Sequence, residues 1–243
     1  MPNRPTRIFF CCLKASPIGG ETPICDMQLV TNSLKKDNPN ILEEFKSRGL
    51  RYHLNYSDPK ARFRHIAELK TWPEIYGTSD KQKVEEITKK DGIECRWNGD
   101  KLTLVTRYPA THVHPDTGVD MWSNTAMAFY PRLYLYELWK TASSQGLIYY
   151  WLLYILWVFI EVCIRRPFMP DSKCPLYLTY GDGKDIETKD MQKVSDTIWD
   201  HTVTLKWQEG DVLCLDNDRV THGRNPYWGA REIIVSLGLP EKK

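Results

Sequence analysis

Charge imbalance is the first thing this sequence does without. Its 33 basic and 31 acidic residues leave a net charge of +2, so there is no electrostatic case for a nucleic-acid partner. A disulfide frame is lacking too. The seven cysteines are an odd number with no zinc-type pairs: Cys11 and Cys12 are adjacent, and Cys25, Cys95, Cys163, Cys174 and Cys214 are scattered. That usage predicts reduced, mostly buried thiols and an intracellular, cytoplasmic setting. The first residues hold only a short apolar run, 8–13, too short for a secretory segment. It reads as a strand that begins at once, as though the chain were entered partway through a sheet. Histidine is absent before His53. With 243 residues the chain can bury a full core, and by length it is one domain.

The most informative stretch is 203–238. Val203, Leu205 and Trp207 alternate with polar neighbours, a turn follows, and a second short apolar run covers 212–215, which together predict a β-meander. The chain then reaches His222, passes a turn rich in Gly, Asn and Pro, and returns as a strand from Arg231. A neutral imidazole is a good iron ligand, and a guanidinium forks onto a carboxylate. Taken alone, His222 could equally cap a turn and Arg231 could be a solvated strand-end charge.

DVLCLDNDRVTHGRNPYWGAREIIVSLG at the C-terminal end, and GGETPICD at 19–26, together resemble the taurine dioxygenase (TauD/TfdA-like) family of iron(II)- and 2-oxoglutarate-dependent oxygenases. The resemblance implies a mainly β fold with helices, a double-stranded β-helix or jelly roll that is incomplete at the N-terminus. It implies oxidation of a small organic substrate, with Fe(II) as cofactor and 2-oxoglutarate as co-substrate. Carried over, the last iron ligand is His222, the residue gripping the far carboxylate of 2-oxoglutarate is Arg231, and Thr22 assists it. Arg224, in the same turn as His222, is a weaker candidate for an anionic substrate.

The family's other two iron ligands, a His-x-Asp or His-x-Glu pair, stand upstream of GGxT, where this chain has no histidine. The chain as written is therefore expected to hold iron weakly or not at all, with Met1 not the natural start. The alternative is a non-catalytic jelly-roll module or pseudoenzyme. HVHPD (His112, His114, Asp116) satisfies the H-x-D string, but it follows GGxT, and Pro115 and Asp116-Thr117-Gly118 are turn chemistry. It reads as a surface turn.

Elsewhere the patterns are ordinary. Met27, Val30 and Leu34 recur at helical spacing behind Asp26, Asn38 and Pro39 start a second helix that ends at Gly49, and 50–56 alternates as a strand in which His53 faces outward. Ser79 or Asp80 starts a further helix that stops at Gly92, and Asn98-Gly99 predicts a two-residue hairpin turn. Thr188 precedes a helix that ends near His201.

One block departs from the family: 141–166, within which every residue from 147 to 160 is apolar or aromatic. Three readings stay open, namely a membrane span flanked by Arg165 and Arg166, a buried or partner-facing helix, and a segment foreign to the family. Resemblance fades after Asn124 and resumes at Tyr177.

Overall fold

The computed structural model describes residues 5–61, 70–122 and 126–238. Asn124, where the resemblance fades, lies outside them. Strand β1 (Arg7–Lys14) buries Ile8, Phe10 and Cys12 at alternate positions, the period-two signature of a strand with one face on a core. Short strands β2 (Ile18–Gly19) and β3 (Thr22–Asp26) follow. Asp26 closes β3 and starts helix α1 (Met27–Asp37), its carboxylate accepting the Gln28 N–H at 2.9 Å; one orphan donor of the first turn is thereby satisfied. Met27, Val30 and Leu34 form the buried face of α1, as their spacing predicts. Helix α2 (Pro39–Arg48) starts on Pro39 without a side-chain bond from Asn38. The proline suffices, because its missing N–H would find no partner there and its φ is already helical.

Strand β4 (Leu50–Tyr56) leads to α3 (Trp72–Tyr76) and α4 (Lys81–Lys90), the latter capped by Asp80. In the hairpin of β5 (Glu94–Asn98) and β6 (Lys101–Tyr108), Asn98 pairs with Lys101, so the loop residues are Gly99 and Asp100, one position later than expected. Gly99, at φ +57°, takes the left-handed position that a tight hairpin requires. Next come β7 (Thr111–Val113), β8 (Asp120–Trp122), α5 (Tyr134–Gln145) and α6 (Ile148–Ile160), which a π turn at Glu161–Arg165 joins to α7 (Arg166–Phe168). The rest is β9 (Leu176–Tyr180), α8 (Thr188–Asp200), β10 (Thr202–Leu205), β11 (Val212–Asp216), β12 (Val220–His222), β13 (Tyr227–Trp228) and β14 (Glu232–Gly238). His201 caps α8, and its Nε2 lies 2.7 Å from the Ser33 hydroxyl, so it also ties α8 to α1.

Two three-stranded antiparallel sheets, β11-β1-β14 and β10-β3-β12, form the jelly-roll core. Ile8, Phe10, Cys12 and Leu215 from the first meet Ile24 and Leu205 from the second, with Trp207 between them. A four-stranded sheet, β5-β6-β4-β9, carries the middle of the chain. The larger core lies where α1, α2 and α8 pack on β4 and β9 around Phe45, Trp122 and Tyr180. All seven cysteines are free, although Cys163 and Cys214 are exposed rather than buried.

His53 is half-buried rather than simply outward-facing, with Nε2 3.2 Å from the Thr179 hydroxyl. Burial, with Arg51 and Arg96 nearby, pushes its imidazole below the ordinary value of 6.5. Between that lowered value and 6.5 the unfolded chain holds more protons than the folded one, so this contribution to stability falls as pH drops through the window. We expect urea unfolding of His53→Gln to show a shallower loss of stability from pH 7.5 to 5 than the unsubstituted chain. An unchanged slope would refute the assignment.

The apolar block is a helical hairpin. Gly146, at φ +66°, turns α5 into α6, and Tyr134 meets Trp157 edge-on at 5.2 Å. The buried-helix reading does not hold: Tyr150 is the one buried residue of α6, while Ile148, Leu152, Ile155 and Phe159 are exposed. The 21 residues from Ile148 to Phe168 are long and apolar enough to cross a membrane, by length and composition only. The far end is pinned by ion pairs. Arg165 bonds Glu161 and, at 2.7 Å, Asp171.

Candidate functional site

The register of β3 puts two of the sequence-predicted residues on one face. Thr22 stands opposite Leu205, Ile24 opposite both Val203 and His222, and Thr22 and Ile24 are two residues apart on one strand. His222 therefore shares the inner face with Thr22. Its ring meets Phe10 edge-on at 5.1 Å, and Phe10 in turn packs at 6.4 Å on Trp207. Trp207 donates its indole N–H to the Thr22 hydroxyl oxygen at 2.8 Å. That bond leaves the Thr22 hydroxyl hydrogen free to donate elsewhere.

Arg231 stands one residue before β14, in the sheet that faces β3. Its Nε donates to the Gly20 carbonyl oxygen at 3.2 Å, two residues from Thr22. Gly20, at φ +77°, has Arg231 side-chain atoms 3.1 Å from where a Cβ would stand. Glycine there lets the guanidinium approach the backbone. Among the described residues no carboxylate forms an ion pair with Arg231. A charge near it is unfavourable: Arg224 and Arg231 lie 5.4 and 5.6 Å from the Tyr227 ring, and burial followed by the Arg224 charge lowers the Arg231 pKa. A half-buried cation held beside a second cation is poised for an anion. Arg224 itself is exposed.

Burial likewise pushes the His222 imidazole below its usual value, which keeps it neutral, and its Nδ1 is buried without a hydrogen-bond partner. A neutral ring with an orphaned nitrogen fits one metal ligand. It does not make a metal site. Among the described residues there is no group of three or more His, Cys, Asp or Glu side chains that could hold an ion. The HVHPD segment does not complete one: residues 115–118 form the exposed turn its sequence predicts, while the histidines ahead of the turn point back into the fold. His114 is buried; its Nδ1 accepts the N–H groups of Asp116 and Thr117 at 3.2 Å, and its Nε2 lies 3.2 Å from Asp216. His112 Nε2 is 2.8 Å from the Asp218 carbonyl oxygen. The pair thus fastens the turn to the β11–β12 corner, and Asp116 is left in solvent.

The sequence reading missed three groups. Trp207 reads in the sequence only as a strand residue, yet its indole N–H holds the Thr22 hydroxyl. Glu21, inside GGET, is buried, and its carboxylate accepts from the Tyr150 hydroxyl and, at 3.2 Å, from Asn225. A lone glutamate between Gly and Thr in an otherwise apolar-leaning strand start was the available signal. A cavity of about 230 Å³ also lies between β3, β12 and α8, with His222 and Thr221 on one side and Glu137, Ser195 and Trp199 on the other. The Glu137 carboxylate accepts from Ser195 at 2.5 Å and Trp199 at 2.8 Å.

Two facing antiparallel sheets, with His222 on the inner face of one and Arg231 just before a strand of the other, form a double-stranded β-helix. The taurine catabolism dioxygenase TauD, TfdA family model matches residues 1–237, and the chain belongs to that family. It is 27% identical over 237 residues to the dapdiamide synthesis protein DdaC of Enterobacter agglomerans, covering 96% of this chain and 61% of that protein. To a clavaminate synthase-like protein of Arabidopsis thaliana it is 23% identical over 235 residues, covering 96% and 60%. The chain thus spans about three fifths of the length of these curated relatives. Among solved structures, AAD-2 in complex with Mn(II) and N-oxalylglycine aligns over 99% of this chain and 66% of its own, at 10% identity and a TM-score of 0.49.

Proposed function

We propose that the protein serves iron(II)- and 2-oxoglutarate-dependent oxidation of a small organic substrate, with the far carboxylate of 2-oxoglutarate held by Arg231 and Thr22. The observation that carries this is the half-buried Arg231 guanidinium, which has no carboxylate partner among the described residues and lies beside Arg224. Two parallel N–H···O bonds from its fork, with the Thr22 hydroxyl as a further donor, match one carboxylate. His222 supplies one nitrogen for iron, and the described residues do not complete the iron site. Arg224, exposed and 5.4 Å from the Tyr227 ring, would meet an anionic group on the substrate.

A second reading follows from that incomplete metal set: a module of the same fold that binds 2-oxoglutarate without oxidising anything. One titration separates the two. Under anaerobic conditions Fe(II) and 2-oxoglutarate are added, visible absorbance is followed, and succinate is measured after oxygen is admitted. A charge-transfer band with oxygen-dependent succinate is expected of the oxygenase. Calorimetric binding of 2-oxoglutarate without band or succinate would leave the module, and no binding at all would refute both.

A further inference from the structure

Tyr150 lies in the block that looks foreign by composition, yet it is the residue through which that block enters the site. Its hydroxyl donates to the Glu21 carboxylate and lies 3.2 Å from the Pro226 carbonyl oxygen. Asn225 adds two bonds to the same residue. Its Nδ2 donates to the Glu21 carboxylate at 3.2 Å, and its backbone N–H donates to the Glu21 carbonyl oxygen at 3.0 Å. The Gly20 N–H then donates to the Pro226 carbonyl oxygen at 3.0 Å. Tyr150, Asn225 and Glu21 are 2, 5 and 6% exposed, so these bonds form away from water. The phenol stays protonated, because burial and then the Glu21 carboxylate push its pKa up.

The neighbours of Glu21 give the cluster its meaning. On one side Gly20 accepts from Arg231, and on the other Thr22 accepts from Trp207. Gly19 admits the contact: at φ +69°, a Cβ there would stand 2.7 Å from the Tyr150 hydroxyl and 2.3 Å from the Pro226 carbonyl oxygen. One buried carboxylate thus joins three pieces of chain: the 20–22 segment, the 225–226 turn that leads to Arg231, and α6.

We propose that Tyr150 and Glu21 form a positioning pair that locks residues 20–22 against the 225–226 turn, and so sets where Thr22 and Arg231 meet the far carboxylate of 2-oxoglutarate. This rests on the ligand reading above. It also makes α6 part of the site, whatever covers its outer face. The physical reason is preorganisation: donors held in place before binding lose less freedom when the ligand arrives.

The test uses the full chain and Tyr150→Phe, which keeps the ring and removes the hydroxyl. Without ligand, amide hydrogen exchange at Gly20 and Asn225 is expected to rise at least about tenfold, while the β5–β6 hairpin is unchanged. With 2-oxoglutarate, the dissociation constant is expected to rise about tenfold, as for one lost positioning contact of 1.4 kcal/mol. Glu21→Gln, whose amide oxygen still accepts from Tyr150, should bind within about threefold of the unsubstituted chain. Leu152→Ser, on the exposed side of the same helix, should change neither readout. Unchanged exchange and affinity in Tyr150→Phe overturn the proposal, as does an equal effect from Leu152→Ser, which would assign it to the helix as a whole. If Arg231→Ala abolishes binding and Tyr150→Phe does not weaken it, the ligand reading stands and the pair falls. If the unsubstituted chain binds no 2-oxoglutarate, the ligand reading falls with the positioning role, and exchange alone decides whether the pair locks the segment.

Discussion

Arg231→Ala is expected to weaken 2-oxoglutarate binding by about 100-fold or more while leaving the fold intact. A hydrogen bond to a charged group contributes about 1.5–3 kcal/mol, and the fork makes two, so together they account for about 3–6 kcal/mol, or about two to four decades of affinity. Arg231→Lys should recover little of it, since a compact ammonium cannot reproduce the planar pair of donors. Stability moves the other way or not at all. The native guanidinium is half-buried near the Arg224 charge, and among the described residues its hydrogen-bond acceptor is the Gly20 carbonyl oxygen. Removing it relieves a like-charge contact and breaks no ion pair among the described residues. Calorimetry on the folded variant, with thermal unfolding in parallel, separates the two effects. Retention of affinity within about threefold would show that Arg231 is not the carboxylate anchor.

The parts of this molecule that were legible in its sequence are those whose cause is local. Asp26 and Asp80 announce helix starts because a short acceptor before an apolar period can meet free N–H groups. The alternation in 7–14 announces a strand with one face inside. His222 and Arg231 stood out by their places at strand ends around a turn, and the family resemblance gave them roles. What stayed illegible depends on partners far away in the chain. Pro115 and Asp116 announce the exposed turn, but the burial of His114 just ahead of it depends on Asp216, 102 residues on. Glu21 is 129 residues from Tyr150. Within the uniformly apolar run 147–160, no local pattern distinguishes Tyr150 from its exposed neighbours, because the selection is made by a carboxylate on another strand. The hairpin turn slipped by one residue for a milder reason. Asn98 gains a further cross-strand pair with Lys101, and Gly99 accepts the positive φ on its own.

Phe45→Ala is expected to cost about 3–5 kcal/mol of stability, as for other buried large-to-small aromatic changes. Phe45 has no solvent exposure and joins α2 to both neighbouring layers, meeting Trp122 edge-on at 5.1 Å and Tyr180 at 5.2 Å. Its removal opens a void between rings that are themselves anchored. Arg48 lies 3.6 Å over the Tyr180 ring, and the Trp122 backbone N–H donates to Thr31 at 2.8 Å. Neither ring can collapse into the gap without giving up those contacts, so the cost belongs at the upper end of the range. With native stabilities of about 5–15 kcal/mol, such a loss leaves the variant folded at 15 °C but unfolding about 10 °C lower on heating. The cluster lies in the larger core, separate from the one that joins β1 to β3. The folded fraction of Phe45→Ala should therefore bind 2-oxoglutarate within a few-fold of the unsubstituted chain, the reverse of Arg231→Ala. A stability loss under about 1 kcal/mol in urea unfolding would mean that the aromatic trio is not the centre of this core. A large loss of affinity in the folded fraction would mean that the jelly-roll corner takes its geometry from α2.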